Sequence, residues 1–178
     1  MHASIEGDLN VVGAFALMVS DRVSDAIERQ GGPGGSSGAA LLLVHHGHVR
    51  RIDDLRAPLA LTQASVVRLV DRLVDRRLLR RVAATEGDRR TVSLVLTSSG
   101  RARARALMRT RERVIGEILA GLKPGDLVTL GLVSGQVLAA VAREDRAPGR
   151  LCRYCDERAC DLSRCPVEMA ADETAGAS

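Results

Sequence analysis

The sequence predicts a mainly α fold with one small hairpin, in class terms α+β. Apolar residues recur at helical spacing in several segments, whereas only 79–83 and 92–96 read as strands. The decisive stretch is Leu61–Gly100, which strings together a short apolar-striped helix, a basic hairpin and a capped helix start. That order is a winged helix-turn-helix. A chain of 178 residues that is 46% hydrophobic can bury a real core. Because aromatics make up 1%, Phe15 and Tyr154, that core must be built from leucine, valine, isoleucine and alanine.

A first helix runs from about Asp8 to Gln30, with Leu9, Val12, Phe15, Ala16, Val19, Val23 and Ile27 on one side. Gly31–Gly38 is rich in glycine and serine and reads as a flexible linker. Ala39–Val44 is an apolar helical run. Ile52–Ala57 is a short helical piece that Pro58 stops, since proline lacks a backbone donor and biases its predecessor out of the α region. The turn Pro58–Leu61 leads to Thr62, whose hydroxyl can accept from the free N–H groups of the next helix. Val66, Leu69, Val70, Leu73 and Val74 then fall at i, i+3, i+4, i+7 and i+8, one buried stripe.

Leu79–Ala83 and Val92–Leu96 flank a turn containing Thr85, Glu86, Gly87 and Asp88, residue types that tolerate tight bends. After Gly100 a long helix reaches about Leu119 with Leu107, Val114, Ile115 and Ile118 inward. Pro124-Gly125-Asp126 opens another that extends to about Arg143. The first and last helices carry more apolar surface than one thin layer can cover. The chain thus divides into 1–38 (helix and linker), 39–100 (winged helix-turn-helix), 101–146 (two long helices) and 147–178 (a cysteine-rich tail with a disordered end).

The winged unit has the chemistry of a DNA reader. Opposite its apolar stripe, the helix after Thr62 presents Ala64, Arg68, Asp71 and Asp75, with Val67 at the edge. Small residues let a helix sink into the major groove, where Arg68 can donate two hydrogen bonds to a guanine edge or contact a phosphate. Arg89 and Arg90 stand at the hairpin tip, suited to the negative potential of a narrow minor groove. Asp88, which phosphate would repel, reads as a brace for an arginine. From Arg68 to Arg113 there are fourteen arginines against five acids, a local balance of +9 in a chain whose total is +4. Such concentration is the footprint of a polyanionic partner and implies salt-dependent binding.

Asp88-Arg89-Arg90 followed by Leu96-Thr97-Ser98-Ser99-Gly100, with LTQASVVRLVDRL upstream, resembles the MarR family of bacterial transcription regulators over roughly residues 5–145. There an Asp-x-Arg wing precedes a Leu-Thr-x-x-Gly helix start. The resemblance implies that Gln63, Ala64, Val67 and Arg68 face bases, with Arg90, then Arg89, entering the minor groove. Thr62, Ser65 and Arg72 complete the candidate DNA contacts. Val67 departs from the small polar residue frequent in the family, and Pro58 from its uninterrupted preceding helix. The likeness further implies a homodimer whose first and last helices interlock, a pseudo-palindromic operator on double-stranded DNA, and most often repression. Family members hold small anionic phenols between the dimer helices and the reading head. A small-molecule or oxidant effector is therefore an expected partner, with no residues to assign to it.

All four cysteines lie in the tail, Cys152, Cys155, Cys160 and Cys165, spaced C-x2-C-x4-C-x4-C and followed by Pro166. Clustering in a chain expected to be cytoplasmic argues against structural disulfides. Four thiolates complete a tetrahedral set for Zn²⁺, and metal binding would supply the folding energy a short polar tail lacks. An iron–sulfur cluster and a metal-free thiol sensor are the alternatives. If zinc binds, it is either a staple or a sensor. His45, His46 and His48 read more simply as a polar helix end, where imidazoles suit the dipole, than as ligands.

Other classes find little support. There is no glycine-rich phosphate loop, no nucleophile elbow and no paired carboxylates outside charged helix faces, so the chain is not expected to be an enzyme. Few aromatics argue against RNA or single-strand stacking. No apolar run approaching a membrane span and no secretory signal are read, which places the protein in the cytoplasm with no membrane partner. The competing binding class is a zinc-tailed protein–protein adaptor whose winged helix does not read DNA.

Overall fold

The computed structural model describes residues 4–29, 35–83, 92–144, 149–157 and 162–175. In chain order the elements are α1 (Ile5–Arg29), α2 (Gly35–His46), a 3₁₀ turn Asp53–Leu55 running into α3 (Arg56–Leu59), α4 (Gln63–Asp75), β1 (Leu79–Ala83), β2 (Val92–Leu96), α5 (Ser98–Leu119) and α6 (Pro124–Glu144). The tail adds α7 (Gly149–Cys152), a 3₁₀ turn Leu162–Arg164 and α8 (Pro166–Ala175). The fold is a mainly helical winged helix-turn-helix.

One main core holds the winged unit together. Leu41, Leu42 and Leu43 of α2 meet Leu55, the α4 stripe Val66, Leu69, Val70 and Leu73, and Ala104, Leu107 and Met108 of α5. The hairpin closes one side: Leu79 stands opposite Leu96 and Arg81 opposite Leu94 in an antiparallel register, which buries Leu79, Leu94 and Leu96. At its base Thr97 caps α5, accepting from Gly100 N at 2.9 Å and donating to the Arg77 carbonyl at 2.6 Å. Gly100 is required here, because a Cβ would lie 1.9 Å from the Leu78 carbonyl oxygen.

Four expectations change. First, α2 begins at Gly35, inside the stretch read as a linker, and Gly38 through Leu43 are buried, so packing outweighs the weak helix propensity of glycine and serine. Second, Pro58 does not stop the short helix. It lies within α3, where its fixed φ suits a helix, and the chain breaks two residues later at Ala60, which is left-handed with φ 50°. Third, the wing gains a partner that periodicity did not reveal: Arg51 bridges to Ser93, and Leu94 N donates to the Arg50 carbonyl at 2.7 Å.

The fourth change concerns the long outer helices. On α1, Ile27 is buried and Val23 packs on the core, but Leu9 and Val12 are 66% and 64% exposed within the chain. Of α6, Ala142 alone is buried, leaving Leu132 and Val133 at 65% and 53%. By length and composition α6 is apolar enough to cross a membrane, contrary to the expectation that no run approaches a span. Its glycines, Ser134 and Gln136 break the apolar residues into short groups, which hid the uncharged run from Leu127 to Ala142.

Candidate DNA-reading surface and thiol tail

Thr62 N-caps α4 as its residue type foretold, accepting from Ser65 N at 3.3 Å while its hydroxyl donates to Ser65 Oγ at 3.0 Å. This fixes the first turn. Gln63, Ala64, Arg68 and Arg72 are exposed, and Ser65 and Val67 are half-buried at the edge of the same face. Arg68 Nη2 donates to Ser65 Oγ at 3.3 Å, which lays the guanidinium along the helix surface. The buried stripe behind these residues leaves the polar face as the one turned to solvent.

The hairpin stands beside that face. Arg81 of β1 donates to Asp71 of α4 at 2.6 Å, tying wing to helix. Sequence reading sought such a brace at Asp88; a carboxylate on α4 and an arginine ten positions on supply one, and an Asp–Arg pair across a helix–strand turn was the available signal. Asp88, Arg89 and Arg90 lie outside the described residues, as does Cys160.

In the tail, Cys152, Cys155 and Cys165 are half-buried. The Cys152–Cys155 turn closes through Cys155 N donating to the Cys152 carbonyl at 2.8 Å. The Cys152 and Cys155 side chains are close enough to hydrogen-bond to one another. That bond lowers the Cys155 thiol to about 6, with Arg111 assisting against burial and Glu157. The same bond, with burial and the neighbouring Cys155, Cys165 and Glu168, raises Cys152. Among the described residues no three His, Cys, Asp or Glu side chains are grouped to hold a metal ion.

The tail also makes contacts that spacing did not announce. His46 Nε2 donates to the Cys155 carbonyl at 3.1 Å and its Nδ1 lies 3.6 Å from Glu157 Oε2, while His48 Nε2 bonds Glu157 Oε1. Thus His46 and His48 are more than a polar helix end: they receive the tail. Tyr154 Oη donates to the Gly35 carbonyl at 2.6 Å, and burial raises its phenol above the ordinary value. A cavity of about 560 Å³ lies between α1, α2, α3, α5 and the tail. Val23, Ile27 and Ile115 give it apolar lining, and Arg111, Arg150 and Arg153 give it positive charge.

No family model and no curated protein matches the sequence. Solved structures do match the fold. A MarR family protein from Bacillus stearothermophilus superposes with a TM-score of 0.66 at 16% identity, covering 77% of this chain and 95% of that one. The YusO protein from Bacillus subtilis gives 0.65 at 16% identity, covering 76% and 97%. A Mycobacterium tuberculosis MarR family protein in complex with p-aminosalicylic acid gives 0.56 at 19% identity, covering 76% and 98%.

Proposed function

We propose that this chain is a DNA-binding regulator of transcription, working as a homodimer in the cytoplasm on a pseudo-palindromic operator, most simply as a repressor. The observation that carries this reading is the capped α4 with Gln63, Ala64, Arg68 and Arg72 exposed beside a hairpin braced to it by Arg81 and Asp71. A helix backed by a rigid core and fronted by small and cationic side chains can enter a major groove without rearranging. In this reading Thr62, Ser65 and Arg72 position the helix on phosphates, Gln63, Ala64, Val67 and Arg68 meet bases, and Arg90 and Arg89 reach the minor groove. Asp88 braces the tip. The fold shared with MarR family structures supports the same use.

The second copy covers the apolar faces of α1 and α6. Leu9, Val12, Leu132 and Val133 are too exposed for a chain that ends its folding alone, and burying them at about 25 cal/mol per Å² would drive association. A dimer also supplies two reading heads, as operator affinity requires. The cavity between α1 and the winged unit takes a small anionic amphiphile, its carboxylate toward Arg111, Arg150 and Arg153, as the effector. The Mycobacterium tuberculosis neighbour was solved with such a molecule, p-aminosalicylic acid.

Cys152, Cys155, Cys160 and Cys165 would hold one Zn²⁺. The gathering of all four cysteines in one short tail, with Cys152, Cys155 and Cys165 half-buried, supports that set. The metal would supply ordering energy to the tail.

Electrophoretic retardation of the DNA upstream of the chain's own coding region, at several salt concentrations, tests the function. Sequence-selective, salt-sensitive retardation is expected. No retardation at any salt would replace the regulator by a protein–protein adaptor.

A further inference from the structure

The cavity beside Ile27 has one wall that belongs neither to the long helices nor to the winged unit. Val23 and Ile27 reach it from α1 and Ile115 from α5, but Arg150, Arg153 and Tyr154 come from the tail. The charged side chains that line it are three arginines and one carboxylate, Glu28, which leaves the space net cationic. Two of those three cations ride on the tail. The third, Arg111, is half-buried on α5 and stays in place whatever the tail does. A small anion with an apolar body thus finds its apolar contacts on the helices and most of its counter-charge on the tail.

The tail is held over the cavity at two points. At the near one, Tyr154 Oη donates to the carbonyl of Gly35, the first residue of α2 and itself part of the lining. At the far one, His46 Nε2 donates to the Cys155 carbonyl and His48 bonds Glu157, at and just beyond the other end of α2. A twelve-residue helix is about 18 Å long, so this second point stands well apart from the first. Glu157 does not line the cavity. Between the two cations Arg153 Nη1 donates to the Arg150 carbonyl, and α7 packs against α3, so the cationic stretch is itself ordered.

We propose that residues 150–157 are a latched wall of this cavity, and that a small anionic amphiphile bound there bridges Arg150 and Arg153 of the tail to Arg111 of α5, so that ligand binding and tail docking are one linked equilibrium. This rests on the reading of the cavity as the effector site. With the latch open, the ligand keeps its apolar contacts and Arg111 but loses two of its three cations, so it binds the docked form more tightly. Such a ligand draws the population toward that form, and its apparent affinity falls as the docked fraction falls. The tail thereby selects by charge. An uncharged analogue of the same shape gains nothing from Arg150 and Arg153, and neither needs the latch nor steadies it.

Calorimetric titration of the full chain with p-aminosalicylate and with the corresponding uncharged carboxamide tests this. The anion is expected to bind about tenfold tighter, and the double variant Arg150→Gln, Arg153→Gln should remove most of that difference. Glu157→Ala opens the latch without touching the lining, and should weaken the anion about threefold while leaving the carboxamide unchanged. Tyr154→Phe, which keeps the ring and loses the bond to Gly35, should act in the same direction. A variant that merely loosened the fold would weaken both compounds alike. In the wild type the anion should also slow amide exchange about fivefold across 150–157.

Anion binding equally tight in the wild type and in every tail variant would overturn the latched wall and keep the cavity as an effector site built on Arg111. Weakening by the arginine pair alone, with exchange across 150–157 indifferent to the anion, would overturn the linkage and leave a fixed wall. If neither compound binds the wild type, the effector reading falls and the proposal with it.

Discussion

At Gly100 a single methyl group would meet the Leu78 carbonyl head-on, and the backbone on both sides is fixed by the Thr97 bonds to Gly100 N and the Arg77 carbonyl. Gly100→Ala should therefore destabilise the fold by about 3 kcal/mol, at the upper end of overpacking effects, measured by urea denaturation. Ser99→Ala, exposed one position earlier, should be near neutral. Tyr154 offers a pH test. Burial raises its phenol above 10, so the folded tail favours the protonated form. Its contribution to docking is fully present below the unfolded value and is lost as pH rises through the folded one. An absorbance titration of tyrosinate should place the midpoint above 10 in the native protein and near 10 in urea. In metal-free reduced protein, alkylation of Cys155 should set in as pH passes about 6, well before Cys152 reacts. Mass spectrometry of the alkylated peptides reads the order, and Cys152 reacting before Cys155 would refute the prediction.

At the scale of elements, α4 and the hairpin act as a pair. Arg68→Ala should weaken operator binding by about 1–3 kcal/mol and relax sequence preference, whereas Arg90→Ala should weaken binding to all sequences alike. Competition retardation with operator and scrambled duplexes separates the two patterns. The Arg81–Asp71 pair is partly exposed, so breaking it should cost stability no more than about 1 kcal/mol. α4 was legible in the sequence down to its cap, because Thr62 and the valine–leucine stripe are local signals. Both strands were legible too, with the bounds later observed. The pairing of Arg50 and Arg51 with β2 was not, since it joins residues more than forty positions apart and needs no periodicity of its own.

For the whole molecule, the exposed faces of α1 and α6 set the expectation. Leu132→Asp would place a charge in the apolar patch and should shift sedimentation from dimer toward monomer, with loss of operator binding at the same concentration. A monomeric wild type would instead leave α6 in need of another cover. The sequence flagged these helices as over-apolar but not which residues the chain itself would bury. Of the seven positions assigned inward on α1, Leu9, Val12, Phe15 and Ala16 remain exposed and Ile27 alone is fully buried.

The sequence by itself determined what repeats locally: helical stripes, two alternating strands, the Thr62 and Thr97 caps, the concentration of arginine and the gathering of every cysteine in one tail. Tertiary structure alone decided what those pieces face. The tail grips α2 through residues 109 and 119 positions away, and α8 covers α6 rather than the winged unit. Contacts of that separation depend on how surfaces close in three dimensions, and a histidine at a helix end or a lone tyrosine carries no local mark of the partner it will meet.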